Sequence, residues 1–63
     1  MKYSINVKYW HDSHDHEIFF AYEDDARKIF KALTKIAAND GNDVEFIGLW
    51  NDELFELLEC AHF

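Results

Sequence analysis

The stretch of the chain with the most side chains able to do chemistry reads HDSHDH. It holds three histidines and two aspartates: His11, Asp12, His14, Asp15 and His16. Imidazole and carboxylate groups are ligands for zinc and other transition metals. No second cluster has structural-zinc spacing, and His62 is the only distant candidate. We therefore expect a solvated turn and no bound metal, with His11, His14 and His16 as the less favoured alternative and as pH-sensitive groups.

Nucleophilic catalysis is poorly supported by the remaining reactive side chains. Cys60 and His62 are two residues apart, which places them on one face of a strand, but no orienting group or oxyanion donor accompanies them. Ser13 lies within the polar turn, and Gly41 and Gly48 form no phosphate-binding loop. A 63-residue domain also has little room for a ligand pocket of about 300 Å³ or more. The sequence predicts a non-enzymatic protein without a cofactor.

The charged residues are unevenly distributed along the chain. Thirteen acidic residues outnumber six basic ones, giving a net charge of −7. Residues 26–38 hold four basic residues and no acid, whereas residues 39–63 hold seven acids and neither lysine nor arginine. We expect a basic helix exterior and an acidic sheet edge. The net negative charge repels nucleic acid and anionic membrane and favours a basic partner. Plain solubility is the simpler explanation of the same charges.

Length and cysteine content restrict the class of protein. Sixty-three residues allow one domain, residues 1–63. The single cysteine, Cys60, suits a reducing compartment. No run approaches the roughly 20 apolar residues that span a bilayer, and the opening MKYSIN has no apolar signal core. We expect a cytoplasmic protein.

Hydrophobic periodicity predicts two strands and then a helix. Residues 2–10 alternate between apolar and polar side chains, and residues 16–22 are rich in strand formers, so the two runs are interpreted as a hairpin. Residues 24–38 change to a helical stripe, with Asp24 as the N-cap and Gly41 as the left-handed residue that ends the helix. Lys31 and Lys35 lie toward the helix C-terminus, where the dipole favours them.

The C-terminal third is read as a second hairpin. Residues 43–50 alternate, with Val44, Phe46, Gly48 and Trp50 on one face and Glu45, Ile47 and Leu49 on the other. Residues 53–63 fit either a helix or a strand. The strand is favoured because a two-residue Asn51-Asp52 turn is good hairpin chemistry and gives both faces a consistent use.

The predicted architecture is an α+β fold of order β-β-α-β-β, a four-stranded, mainly antiparallel sheet with one amphipathic helix on one face. One helix leaves the other face open. We place Ile47, Leu49, Leu54 and Leu58 there, together with Phe19 and Trp10, as an apolar patch that marks an interface. A homodimer through this face, or a target protein, would cover it.

The chain resembles, in overall style, a group of small phage and mobile-element proteins. The resemblance is to tiny, acidic, aromatic-rich, proline-poor chains with an opening like MKYSINVKYW and a helix like DDARKIFKALTKIA, among which are anti-CRISPR inhibitors of host defence. It implies a stoichiometric inhibitor in the host-cell cytoplasm that blocks a nucleic-acid groove, an effector surface or a conformational change. It assigns no residue.

The leading functional expectation is therefore a protein-binding inhibitor whose carboxylates occupy a basic site of a nucleic-acid-binding complex, as phosphates would. The chain itself is not expected to bind nucleic acid or membrane. The candidate partner-binding residues are Glu45, Asp52, Glu53, Glu56, Glu59, Trp50 and Phe55. The alternative is a homo-oligomeric structural or adaptor module, and a histidine-cluster metal-binding domain is the third hypothesis.

Overall fold

The computed structural model describes residues 1–40 and 43–63. The elements are β1 (Tyr3–Tyr9), β2 (His16–Phe20), α1 (Glu23–Asp40), β3 (Val44–Asn51) and β4 (Glu56–His62). The predicted β-β-α-β-β order is confirmed, and the C-terminal segment that fitted two interpretations is a strand. The predicted left-handed end of the helix at Gly41 lies outside the described residues.

The four strands form one antiparallel sheet in the order β2-β1-β3-β4. β1 is central because it pairs with both of its neighbours. Ile5, in its middle, lies opposite Ile18 of β2 and Leu49 of β3. Residues directly opposite one another share a sheet face, so these three side chains point toward the same side.

The helix covers that side and closes the hydrophobic core. Its buried contributions are Ala26, Phe30 and Ala37, with Leu33 packed at the edge of the core. The sheet contributes side chains from β1 and β3: Tyr3, Ile5, Val7, Val44, Ile47 and Leu49. The hydrophobic stripe predicted for residues 24–38 is thus confirmed for the side chains that pack on the sheet. Ile29 and Ile36, which were predicted as part of the stripe, are exposed at the flank.

The placement of Ile47 and Leu49 on the open face was wrong. Their exposed fractions are 1% and 0%, because they lie opposite Val7 and Ile5 on the helix-covered face. Period-two alternation divides a strand into two sets of side chains but does not reveal which set a helix covers. The open face of β3 carries Phe46, Gly48 and Trp50.

A bulge also moves Val44 to the core side. Lys8 pairs with Phe46, but its neighbour Tyr9 pairs with Val44, so Glu45 is an extra residue in β3. Val44 is consequently buried within the core, although strict alternation assigned it to the same face as Phe46. A bulge of one residue reverses the facing of everything beyond it.

The connection between β3 and β4 has four residues, 52–55, and the predicted two-residue turn was wrong. The Asn51 side-chain oxygen accepts hydrogen bonds from the backbone N–H groups of Glu53 (3.1 Å) and Leu54 (3.2 Å). Phe55 completes the turn in the left-handed region with φ 52°. Asparagine favours such a turn because its side chain imitates a backbone acceptor.

The longer turn and a second bulge change what β4 presents. Leu49 pairs with Glu59 while Trp50 pairs with Leu57, so Leu58 is the extra residue. Leu58 is half-buried against the core and not on the open face where it was predicted. Leu54, predicted for the same face, is an exposed residue of the turn.

Helix α1 begins one residue before the predicted N-cap Asp24. The Ala26 N–H donates to the Tyr22 carbonyl (3.2 Å), and Glu23 and Asp24 both lie in an acidic first turn. The helix extends to Asp40, so its last turn has no basic residue and Lys35 lies farther inside than expected. The side chains of Lys28, Lys31 and Lys35 are exposed.

Replacing Leu49 tests the corrected facing of β3. Leu49→Ala should lower the free energy of unfolding by about 2–5 kcal/mol, because it leaves a cavity beneath the helix. Leu57→Ala, on the exposed side of β4, should lower it by about 1 kcal/mol or less. Urea unfolding followed by circular dichroism measures both. Similar losses for the two variants would contradict the assignment of faces.

Candidate binding site on the open sheet face

The face of the sheet opposite the helix is polar at its centre and aromatic at two points. The strand register arranges its side chains in three rows. The first contains Leu57, Trp50, Ser4 and Phe19; the second Cys60, Gly48, Asn6 and Glu17; the third His62, Phe46 and Lys8. Ser4, Asn6 and Lys8 of the central strand form its polar middle. This open face therefore differs from the apolar patch that we expected.

A shallow groove of about 640 Å³ crosses the open face. Four carboxylates line it, those of Asp15, Glu17, Glu45 and Asp52, and Lys8 is the one lysine or arginine among its lining residues. The groove thus combines an excess of negative charge with the aromatic rings of the open face. We call it the open-face groove.

Two aromatic rings, those of Phe46 and Trp50, each approach Gly48 in this groove. A Cβ atom at residue 48 would lie 2.8 Å from Cε2 of Phe46 and 3.2 Å from Nε1 of Trp50. A glycine is required there if both rings are to keep their positions. The His62 ring packs on Phe46, with centroids 4.9 Å apart and planes inclined at 57°. We call Phe46, Trp50 and His62 the aromatic platform.

The predicted acidic residues fall into two groups. Glu59 lies on the helix side and pairs with Arg27 (2.8 Å), and Glu53 pairs with Lys2 (3.7 Å). Glu45 and Asp52 line the open-face groove, where Asp52 accepts a hydrogen bond from the Ser4 hydroxyl (2.9 Å). Within residues 1–40 and 43–63 neither has a salt bridge to a lysine or arginine.

Two further predicted contact residues lie away from the groove. Phe55 sits in the β3–β4 turn with 88% of its surface exposed, and Glu56 lies opposite Asn51, on the side of the sheet that faces the helix. Neither contributes to the groove lining. Of the seven predicted partner-binding residues, the structure brings Glu45, Trp50 and Asp52 together.

Arg27 connects the helix to β4. Its guanidinium donates to Glu23 (2.7 Å) and to Glu59 (2.8 Å), and the Tyr3 hydroxyl donates to Glu23 (3.4 Å). The hydrogen bond from Arg27 lowers the pKa of Glu23, and the bond to Glu23 together with both carboxylate charges raises the pKa of Arg27. These acids are neutralised internally.

The histidine-rich turn is organised around Asp12. Its carboxylate accepts the His14 backbone N–H (2.9 Å) and lies 3.0 Å from Nε2 of His16, whose ring meets Tyr9 edge-on. The His14 N–H, followed by the His16 contact, lowers the pKa of Asp12. Among the described residues, no group of three or more His, Cys, Asp or Glu side chains could hold a metal ion. His11 therefore belongs to no such group.

Cys60 and His62, considered above as a reactive pair, both lie on the open face. They are opposite Gly48 and Phe46 respectively, and Cys60 is exposed. His62 contacts the Phe46 ring. The prediction that the chain is not an enzyme stays a prediction.

Sequence reasoning missed several groove residues, Asp15, Glu17 and Phe46 among them. One signal was available in the alternation of β1, whose polar set is Ser4, Asn6 and Lys8. A central strand that is polar on one side requires an open face that is polar at its centre. The contribution from β2 depends on the hairpin register, which the sequence left undefined.

Comparisons with protein-family models, with characterised proteins and with solved structures give no match for this chain. In the described part of the chain, no helix has the length and apolar character needed to cross a membrane. The open-face groove and its surroundings are therefore the features from which a function can be inferred.

Removal of the Glu23 carboxylate should destabilise the fold in a pH-dependent way. A carboxyl whose pKa is lowered on folding stabilises above its unfolded pKa, and this stabilisation is lost as the pH falls through the folded pKa. Glu23→Gln should therefore lower the melting temperature at neutral pH and converge with the parent protein in acid.

Asp24→Asn is the matched control, since it removes a charge from the same helical turn without breaking the Arg27 contact. Equal pH-dependent losses in both variants would show that the helix dipole, and not the Arg27 ion pair, is responsible.

Proposed function

We propose that the chain is a non-enzymatic binding protein that occupies a basic surface of another protein through its open-face groove. The observation that carries this proposal is the contrast between its carboxylates. Glu23, Glu53 and Glu59 are neutralised by cations of the chain itself, whereas Glu45 and Asp52 line the groove without such a partner in the described residues.

The charge of the groove favours a cationic partner. Four carboxylates face one lysine, Lys8, and the acidic excess of the whole chain reinforces their field. Clefts lined by one sign of charge concentrate oppositely charged ligands and accelerate encounter. Such complementarity increases specificity and association rate more than affinity.

The aromatic platform supplies the component that charge alone lacks. Phe46 and Trp50 lie on β3 beside the polar middle of the open face, and carboxylates line the same groove. Protein interfaces combine a desolvated core that is enriched in aromatic residues with a polar rim. The groove has this arrangement on a small scale, and it fits a protruding segment of a protein.

The expected target is a nucleic-acid-binding complex, and the expected mode is stoichiometric inhibition. Carboxylates spaced over a sheet can occupy cationic positions that would otherwise bind phosphates, and such binding weakens with salt. A phage-encoded inhibitor of host defence, of the anti-CRISPR kind and acting in the cytoplasm, is the form of this proposal that the resemblance in chain style supports.

Neutralising the groove tests the proposal. Glu17→Gln with Glu45→Gln should weaken binding of a synthetic lysine–serine repeat peptide about three- to tenfold at low salt, since each exposed charge pair contributes roughly 0.2–1 kcal/mol. Isothermal titration calorimetry provides the measurement. Asp24→Asn with Asp25→Asn is the control, because it changes the net charge equally at the helix N-terminus. Equal weakening by both pairs would exclude the groove as the binding site.

A homodimer is the second candidate function, and a different surface favours it. The apolar residues expected to mediate the dimer are not accessible, since Ile47 and Leu49 are buried within one chain. The flank beside β2, however, is apolar. Ile18 and Ile36 are 42% and 51% exposed, and together with Leu33 they line a groove of about 260 Å³ between strand and helix.

The edge position of β2 makes self-pairing through this flank feasible. Edge strands with apolar side chains are templates for further pairing. An antiparallel pair of β2 strands centred on Ile18 sets Glu17 opposite Phe19 and places no like charges together. The same arrangement of β4 centred on Glu59 would oppose two carboxylates.

Light scattering distinguishes this candidate. The parent protein should be dimeric at high micromolar concentration, and Ile18→Lys should make it monomeric. Leu57→Lys, at a similarly exposed apolar position of the other edge strand (39%), should leave the dimer intact. A monomeric parent protein, or disruption by Leu57→Lys alone, would rule out pairing through β2.

A further inference from the structure

We infer that the open-face groove selects arginine over lysine, with the guanidinium of a partner protein stacked on the aromatic platform and hydrogen-bonded to the carboxylates around it. This inference rests on the proposed function and specifies the chemical group that the groove recognises. It follows from the position of the rings, the position of the acids and the different shapes of the two cations.

The rings of the platform are available to a ligand because they do not belong to the core. The buried cluster lies on the helix side of the sheet, and neither Phe46 nor Trp50 is part of it or packed against it. Both are half-buried on the opposite face, where they line the groove. The two rings that approach Gly48, together with His62 packed on Phe46, form a patch on which a flat cation can lie.

The carboxylates surround this patch from several directions. Glu45 directly precedes Phe46, and Asp52 lies two residues beyond Trp50, so one acid lies near each end of β3. Glu17 comes from the other side, through the row that joins Gly48, Asn6 and Glu17. Asp52 is also fixed in position by the Ser4 hydroxyl.

Arginine fits this arrangement better than lysine for two physical reasons. Its guanidinium is planar and weakly hydrated, so it stacks on an aromatic ring at a smaller desolvation cost than an ammonium group. It also presents five N–H donors in a fixed fork, which match carboxylate oxygens while the plane of the group stays stacked. A lysine ammonium satisfies the charge but gains little from the rings.

The acids also argue against another ligand with a flat surface. Nucleic-acid bases stack on aromatic side chains, but binding of single strands normally combines such stacking with a positively charged groove for the backbone. Here the rings are surrounded by Asp15, Glu17, Glu45 and Asp52, with Lys8 as the single lysine or arginine of the lining. The groove therefore fits an arginine side chain of a protein.

The test compares two peptides of equal length and charge, an arginine–serine repeat and a lysine–serine repeat. Trp10→Phe provides the background, because it leaves Trp50 as the only tryptophan. The arginine peptide should bind about three- to tenfold more tightly by calorimetry and should change Trp50 fluorescence at saturation. The lysine peptide should bind with little change in fluorescence.

Gly48→Ala tests the platform without altering any charge. The added methyl group would lie 2.8 Å from the Phe46 ring and must displace the end of that ring, so the platform loses its arrangement around residue 48. The ratio of the affinity for the arginine peptide to that for the lysine peptide should then fall to about one, while the affinity for the lysine peptide stays unchanged. Trp50→Ala, measured by calorimetry, should have the same effect. Phe19→Ala is the matched control, since Phe19 is an exposed ring on the same face but outside the groove lining.

The outcomes separate this inference from the proposed function. Equal affinity for both peptides, reduced alike by Glu17→Gln with Glu45→Gln, would overturn arginine selection and retain the basic-surface function. Failure of both peptides to bind would overturn both. An arginine preference that survives Gly48→Ala and Trp50→Ala but is lost in Phe19→Ala would overturn the assignment to the platform.

Discussion

One helix on a four-stranded sheet can bury only one of its faces, and this constraint shapes the whole molecule. The 18-residue helix α1 covers the side that carries Ile5, Ile47 and Leu49. The opposite side must remain compatible with water, because residues 1–40 and 43–63 contain no second helix that covers it. The polar residues of β1 meet that requirement at the centre of the sheet. The open face is thus a consequence of the fold, and it carries the open-face groove.

The distribution of ion pairs gives this surface its character. Arg27 bridges Glu23 and Glu59 on the helix side, and Lys2 pairs with Glu53 near the β3–β4 turn. These contacts join separate elements. They also neutralise acids that the sequence alone did not distinguish from the acids of the groove. The carboxylates of the open-face groove have no comparable lysine or arginine partner in residues 1–40 and 43–63. An excess of negative charge therefore remains on the side that the helix leaves open.

The aromatic platform links backbone detail to recognition. Gly48 permits the Phe46 and Trp50 rings to lie close to its backbone because it has no side chain. The bulge at Glu45 turns Val44 into the core, while Phe46 stays on the open face. The four-residue turn and the bulge at Leu58 then bring His62 opposite Phe46. Phe46 and Trp50 follow the regular alternation of β3, whereas the position of His62 depends on the irregularities of β4, and together the three rings form one surface.

The sequence by itself determined the order and type of the elements, because periodicity of two or of 3.6 residues reflects burial of one side of a strand or helix. It also determined the acidic excess and the basic helix exterior, and it identified Glu45, Asp52 and Trp50 as contact candidates. Only the tertiary structure decided which face of β3 the helix covers. Alternation is symmetric between faces, and two bulges and a longer turn shift the register by single residues. For the same reason Ile47 and Leu49 proved to be core residues, and Glu17 and Phe46 became part of the groove.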